Sequence, residues 1–357
     1  MKQPYVVNAM VEEPEDHPQV SVVIVNLNGK KWLEKAVPSV LHSSYPKIEV
    51  IVVDNGSTDG SVEFLRRDYP VVRAVTLDRN IGWSPANNEG VRAAHGQIIV
   101  CLSNDMIVDR QWLKEIVKLM SLNSKIGVVQ CNSFSMWDSV SFDSCMNYLD
   151  RFGYSYGYVP QSRPQEVFFA EGMAFAFRRE VIEKIGLLDD YYFMEYDDMD
   201  FSWRARLAGY SVYFLPSAIV YHARGGTVGR TYFQRVRNVE LYTRNHLVTL
   251  IKNYEMKNLL KVLPAVLAIE LGKILYLMLK RNLTVALAAS RGLLRVLRDV
   301  RVILVKRREI ERIRRDRDAV VMKMMHHFNP KLQLLFLVLQ AKGERLVLNC
   351  KPPVGGL

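Results

Sequence analysis

From Val20 onward the chain alternates short apolar runs with stretches of helical period. Residues 20–25 and 48–53 are nearly unbroken Val and Ile, the pattern of strands buried on both faces. Helical periodicity follows each, over 32–41 and near 62–67. Residues 71–77, 97–102 and 126–130 continue the strand series, with helices predicted over 85–94 and 111–121. Such alternation predicts a mainly parallel, doubly covered α/β sheet whose ligands bind beyond the C-terminal ends of its strands.

The pattern breaks over 131–164, a stretch rich in Ser, Tyr and Gly and too long for a plain connection. It reads as a hairpin insertion or a substrate-shaping loop. Regularity returns at 167–170, in helices over 180–185 and 198–208, and in strands over 211–215 and 219–222. After Arg230 the chain becomes Leu-rich, basic and helical. We therefore expect a flexible tail over 1–17, an α/β domain over 18–235 and a basic amphipathic helical region over 236–357.

Charge sharpens this division. The 357 residues carry a net +11, but residues 1–230 hold 23 Lys and Arg against 28 Asp and Glu, and residues 231–357 hold 25 against 9. A +16 face in the last third suits a polyanionic partner, a membrane surface or a nucleic acid. Nucleic acid is disfavoured, because aromatics do not interleave with the basic residues and no nucleic-acid module is recognisable. Arg291, Arg295 and Arg298 run beside a stripe of Leu294, Leu297, Val300 and Leu304, followed by KRREIERIRRDR (306–317). Residues 259–279 are apolar but interrupted by Lys261, Pro264, Glu270 and Lys273, which suits an interfacial segment with lysines reaching headgroups. Residues 332–339 add another apolar patch. The alternative is a helical bundle packed on the domain or on a second copy in a homodimer.

Charge-free apolar stretches in this region reach only eight or nine residues, over 262–269 and 282–290. A spanning helix needs about 20, so no transmembrane segment is expected. The N-terminus lacks an apolar h-region, and the four cysteines show no CxxC pair, which suits reduced thiols in a cytoplasmic setting and excludes a disulfide framework or a cysteine zinc site.

Four segments carry candidate chemistry. In VIVVDNGSTDGS an apolar strand ends at Asp54, either a carboxylate facing a ligand crevice or an Asx turn with a helix cap. In CLSNDMIVD a buried strand runs into Asn104 and Asp105, where an oxygen ligand would hold a divalent metal against a diphosphate, or cap a turn. FMEYDDMDFSWRARLAGY puts Glu195, Asp197, Asp198 and Asp200 within six residues. Such crowding is costly, and the helix dipole accounts most simply for Asp200. In VYHARGGTVGR, His222 ends a strand and precedes Gly225-Gly226, a hinge pair suited to a closing loop.

In their order, VSVVIVNLNG, VDNGSTDGS, RNIGWSPANNEG, SND, AEGMAFAFRREVIEKIGLLDDYYFMEYDDMDFSWRARLAGY and VYHARGG resemble the family-2 glycosyltransferases of GT-A fold, in the rhamnosyltransferase-like and galactofuranosyltransferase-like branch. The resemblance covers residues 19 to about 230. It implies a Rossmann-like catalytic domain that transfers a sugar, rhamnose among the candidates, from a UDP- or dTDP-sugar to a lipid-linked or cell-surface glycan. It implies that Asp54 accepts from the base, with Asn28 alongside, that Arg79 meets the diphosphate, and that Asn80, Asn88 and Asn104 shape the donor pocket. Asp105 matches the last carboxylate of the metal-binding DXD motif, and His222 is implied as the second ligand for Mg2+ or Mn2+. Ser103 and Asn104 stand where the family has acids, a departure that leaves one carboxylate. Asp198 matches the catalytic base of inverting transfer, its pKa expected to be raised by Asp197 and Asp200. Glu171, Gly172, Glu195 and Asp197 fall at the acceptor and sugar pocket. The implied place is the inner face of the cell membrane. Two rivals remain: a membrane-peripheral binding protein that keeps the fold without catalysis, and a processive synthase, which would bring a QxxRW motif and transmembrane helices.

Overall fold

The computed structural model describes residues 17–139, 141–143, 146–158, 162–223, 232–326 and 347–348. The expected tail, the Gly225-Gly226 pair and the 332–339 patch lie outside the described residues.

Strands β1 (Val20–Asn26), β2 (Ile48–Asp54), β3 (Arg73–Thr76) and β4 (Ile98–Ser103) form the parallel half of the main sheet, in the order β3-β2-β1-β4. Their register puts Asn26 beside Asp54, and Val25 beside Ser103. Short β5 (Met106–Val108) leaves β4 at a tight turn, and β6 is Ile126–Ser135. A hairpin of β7 (Met146–Leu149) and β8 (Ser155–Tyr158) occupies the irregular stretch, and short β9 (Gln165–Glu166) follows it. Then β10 (Ala174–Arg178) inserts antiparallel between β4 and β6, and β11 (Ser211–His222) runs parallel to β6 and antiparallel to β5 and β9. A two-residue β12 (Val347–Leu348) joins β8.

Helices α1 (Lys30–Leu41), α2 (Ser61–Asp68) and α4 (Trp112–Leu122) cover one face through Leu33, Val37, Phe64, Trp112 and Ile116. Helices α3 (Trp83–Ala93), α5 (Arg179–Ile185) and α6 (Asp197–Leu207) cover the other through Ala86, Val91, Val181, Phe201 and Ala205. The sheet is thus buried on both sides, as its Val- and Ile-rich strands require.

Three local expectations are corrected. Residues 167–170, where regularity is expected to return, form neither helix nor strand. They are buried, with Val167 N–H donating to the Val212 carbonyl at 2.9 Å, while the ladder pairing runs through β9 and β10 on either side. The strand that fills the middle of the sheet, AFAFR, hides in a sequence that continues directly into α5. The segments 211–215 and 219–222 form one strand, bent by a register shift between Leu215 and Ile219.

In the C-terminal region, α7 (Tyr232–Asn253), α8 (Met256–Leu279), α9 (Leu283–Arg298), α10 (Val300–Ile313) and short α11 (Asp318–Val321) follow in turn. Their innermost side chains share one core with the α/β domain: Leu247 and Leu250 of α7, Tyr254 just after it, and Leu259 and Val266 of α8 pack with Phe168, Trp203 and Leu207. Of the charges that interrupt α8, Lys261 is exposed while Glu270 and Lys273 turn inward. Glu270 is buried, pairs with Lys273 and lies near His246, and the Tyr154 hydroxyl donates to it at 3.3 Å. The opposite side of α8 exposes Leu260, Leu267, Leu271, Leu275 and Leu279, at seven- and four-residue spacing. By length and hydropathy α8 is sufficient to cross a membrane, which the charge-free stretches alone did not anticipate.

Candidate active site

The C-terminal ends of β1, β2 and β4 meet at a knot of short polar side chains. Asn26 donates from Nδ2 to Asp54 Oδ2 at 2.9 Å and receives Asn104 Nδ2 on its own Oδ1 at 2.7 Å. Ser57 N–H donates to Asp54 Oδ1 at 2.8 Å, closing the Asx turn. Asp54 is therefore brought to the crevice by its strand but is only 2% exposed, with Oδ1 occupied by the turn and Oδ2 by Asn26. Its first task is to shape the loop. Asn28, in the left-handed region at φ 49°, accepts Thr58 N–H at 2.8 Å and fastens the β1–α1 turn to the same loop.

The next wall is the 78–82 loop. Asn55 donates to Asn80 Oδ1 at 3.1 Å and accepts Ile81 N–H at 2.9 Å, while Arg79 stays exposed. Asn88 does not line this wall. It is buried, donating to the Leu188 carbonyl at 2.7 Å and to Asp190, and accepting Leu188 N–H at 3.1 Å. The expectation of a donor-pocket Asn88 is corrected to that of a tie between α3 and the 188–190 segment.

Asp105 and His222 meet across β5 and β11, with His222 Nε2 3.2 Å from Asp105 Oδ1. His222 Nδ1 lies 2.7 Å from Oδ2 of Asp143, a buried acid in the irregular stretch that sequence reasoning overlooked. If Nδ1 carries the proton toward Asp143, the Nε2 lone pair faces a carboxylate oxygen, and two such acceptors need a cation between them. This donor set fits a hard or borderline divalent ion with open positions. Among the described residues no group of three His, Cys, Asp or Glu side chains converges for a metal.

The third wall is acidic. Ser103 N–H donates to the Met173 carbonyl at 2.9 Å, which sets residues 171–173 beside the exit of β4. Gly172 N–H then donates to Asp198 Oδ2 at 2.8 Å, and Met199 N–H to Oδ1 at 2.7 Å. A Cβ on Gly172 would come within 3.1 Å of the Asp198 side chain, so glycine permits this approach. Burial first, then the charges of Asp197 and Glu171, hold the Asp198 carboxyl well above the usual range. Asp197 is pushed up to about 7, chiefly by burial, with Glu195 and Asp200 adding to it. Glu195 sits one turn upstream at φ 68°.

Asp200 departs from expectation. It faces away from this pocket into a buried network, bonded to Arg204 at 2.8 Å, Lys252 at 3.0 Å and Asn253 at 2.9 Å. Burial would raise its pKa, but these cations and the Asn253 amide bring it below the ordinary value. The crowding that raises Asp198 therefore comes from Asp197 and Glu171 rather than Asp200. Another group not anticipated is Arg237 of α7, whose guanidinium lies 4.2 Å over the Phe193 ring at the edge of the acidic loop.

A crevice lined by Asn and Asp at strand ends, with one acid at a helix start, lies where open α/β sheets take their ligands. Residues 21–186 match the model of glycosyl transferase family 2, and the fold is of the GT-A type. The chain is 23% identical over 244 residues to a poly-β-1,6-N-acetyl-D-glucosamine synthase of Staphylococcus epidermidis, covering 64% of this chain and 57% of the relative. It thus spans little more than half the length of that curated relative. Among solved structures, a mannosyltransferase from Pyrobaculum calidifontis in complex with GDP-Man and Mn2+ matches with TM-score 0.52 at 19% identity, covering 90% of each chain. GalNAc-T7, solved with UDP, GalNAc and Mn2+, matches with TM-score 0.56 at 18% identity over 69% of this chain and 49% of its own.

Proposed function

We propose that this protein is an inverting glycosyltransferase that moves a hexosyl or deoxyhexosyl group, rhamnose included, from a UDP- or dTDP-sugar to a lipid-linked glycan. The observation that carries this reading is Asp198, a partly exposed carboxylate fixed by two backbone N–H groups beside the exit of β4, with its pKa raised. Inversion needs one base to take the acceptor hydroxyl proton as oxygen attacks the anomeric carbon opposite the nucleotide. Asp198 has that position and basicity, while Glu195 and Asp197 contact the sugar. Asp105 and His222 would hold a divalent ion, which supplies charge neutralisation for the departing diphosphate. One solved neighbour holds GDP-Man and Mn2+ and another UDP, GalNAc and Mn2+, which supports a nucleotide-sugar donor and a divalent ion. The test is turnover of a UDP- and dTDP-sugar panel with Mg2+ or Mn2+. Folded protein that neither transfers nor hydrolyses any of these donors would favour the non-catalytic binding protein.

The proposal includes docking of α8 and α9 on an anionic membrane at its cytoplasmic side, where a lipid-linked acceptor lies. Leu275 and Leu279 of α8 are exposed, as are Leu283, Leu287, Leu294 and Leu297 of α9, the last at 71%. Exposed Lys280 and Arg281 sit in the turn between these helices, and Arg291 lies on the α9 leucine face. Apolar rows with cations beside them suit acyl chains under acidic headgroups. Buried, unbridged Cys101 and Cys131 support the cytoplasmic side. The full chain should co-sediment with phosphatidylglycerol vesicles, and Leu287→Glu with Leu294→Glu should abolish this. A stable dimer that ignores vesicles would assign the leucine rows to a second copy.

A further inference from the structure

Among the described residues, six non-glycine positions have positive φ, and three of them fall together at Phe193, Glu195 and Tyr196. Phe193, at φ 64° and ψ −54°, is the centre of a γ-turn in which Met194 N–H donates to the Tyr192 carbonyl at 2.7 Å. Conformations of this kind are strained and persist only where the surroundings over-determine them. The strained stretch leads directly into Asp197 and Asp198.

Two sources of restraint are visible. From α3, Trp83 N–H and Ser84 N–H both donate to the Phe193 carbonyl, at 2.6 and 3.2 Å. Gly82, at φ 107°, allows this contact, since a Cβ there would come within 2.6 Å of Phe193. From α7 the restraint is denser. Asn245 is fully buried, and its Nδ2 lies 3.2 Å from the Tyr192 carbonyl, 2.8 Å from that of Met194 and 2.8 Å from that of Glu195. Arg244 Nη2 donates to the Tyr191 carbonyl at 2.8 Å and the Tyr192 carbonyl at 3.0 Å, and its Nε donates to Asn245 Oδ1 at 2.8 Å. The amide orientation is forced, because the flipped form would set Oδ1 against three carbonyl oxygens.

We propose that Arg244 and Asn245 are positioning residues of the transfer reaction, clamping the carbonyls of residues 191, 192, 194 and 195 so that Glu195, Asp197 and Asp198 are held toward the pocket. The inference rests on the transferase reading above. Both residues lie in α7, beyond the segment that matches the family. The geometry explains why the first C-terminal helix is built into the domain core: it completes the active-site loop.

The test uses full-length Asn245→Ala and Arg244→Lys, once the wild type has a donor it turns over. For Asn245→Ala, kcat should fall about 100-fold, the scale expected when a catalytic group is misplaced by roughly 1 Å, while donor KM changes much less. Hydrogen exchange in a peptide spanning 190–197 should accelerate, with β1 and β4 unchanged. Arg244→Lys keeps the charge but loses the forked geometry, so it should show a smaller loss of the same kind, and it carries the test if Asn245→Ala does not fold. Wild-type kcat or unchanged loop exchange in a folded variant would overturn the proposal. An inactive wild type with faster loop exchange in Asn245→Ala would instead remove the transferase reading and leave a purely structural clamp.

Discussion

Asp197 and Asp198 open helix α6, and Asp200 follows within the same turn, yet their protons are held in opposite ways. Asp197 and Asp198 have acids for charged neighbours, so burial and like charge push both upward. Asp200 faces Arg204 and Lys252 and is pulled down, as is Asp189 by Lys252 and Lys306. The difference separates two uses of buried charge. Carboxylates left without cations are costly for stability and serve proton transfer, whereas neutralised ones bind α6 and the 189–192 segment to α7 and α10. The basic surplus of the C-terminal region is partly spent in this way. Arg307 donates to the Ile251 carbonyl and Arg314 to the Asn253 carbonyl, so these cations face protein rather than lipid.

The sharpest way to break this contrast is to remove one member from each set. Asp198→Asn should lower transfer by roughly 10²–10⁴-fold, the usual contribution of a positioned base, with nucleotide binding by calorimetry nearly unchanged. Equal loss of nucleotide binding would take the base assignment away from Asp198. Lys252→Met should act on folding instead. It leaves Asp189 and Asp200 short of a cation in a buried site, and breaking such a pair costs about 3–5 kcal/mol, read as a lowered urea midpoint. Wild-type stability in this variant would show that Arg204 and Lys306 suffice.

The parallel half of the fold is legible because its strands are continuous Val and Ile runs, and those runs end on the residues that build the crevice. The β10 strand is not, since AFAFR lacks turn signals and passes straight into α5. Asp105 and His222 can be singled out from strand ends and the acids of 195–200 from a helix start, whereas Gly172 and the choice of Asp198 among those acids come only from the family resemblance. Long-range partners are invisible to such reasoning. Nothing near Asp143 announces a bond to His222, which is 79 residues away. Asn245 carries no local signal for carbonyls some 50 positions earlier. Asp200 reads locally as a helix-dipole residue because its cations come from the next turn and from α7.

Glu270 sharpens the contrast by pH. Burial alone would raise it, but Lys273 and His246 bring it down to about 2. A depressed carboxylate contributes stability fully above its unfolded pKa, near 4.5, and loses it as pH falls through the folded value. The wild type should therefore lose about 3 kcal/mol relative to Glu270→Gln between those limits, measured by urea unfolding at stepped pH. A constant gap between the two proteins would mean that the Glu270 charge is not what joins α8 to α7.

The smallest effect concerns Glu171. Asp198 is raised first by burial, then by Asp197, then by Glu171, so neutralising the last leaves most of the shift in place. With Asp198 as base, kcat rises as its proton leaves, which sets an acid limb above the ordinary carboxylate range. Glu171→Gln should move that limb to lower pH, and Asp197→Asn should move it further in the same direction. Because Asp197 and Asp198 titrate as a pair, the limb belongs to both. A limb that stays fixed in both variants would mean that like charge does not tune the base, and burial alone would then have to explain why α6 opens on two acids.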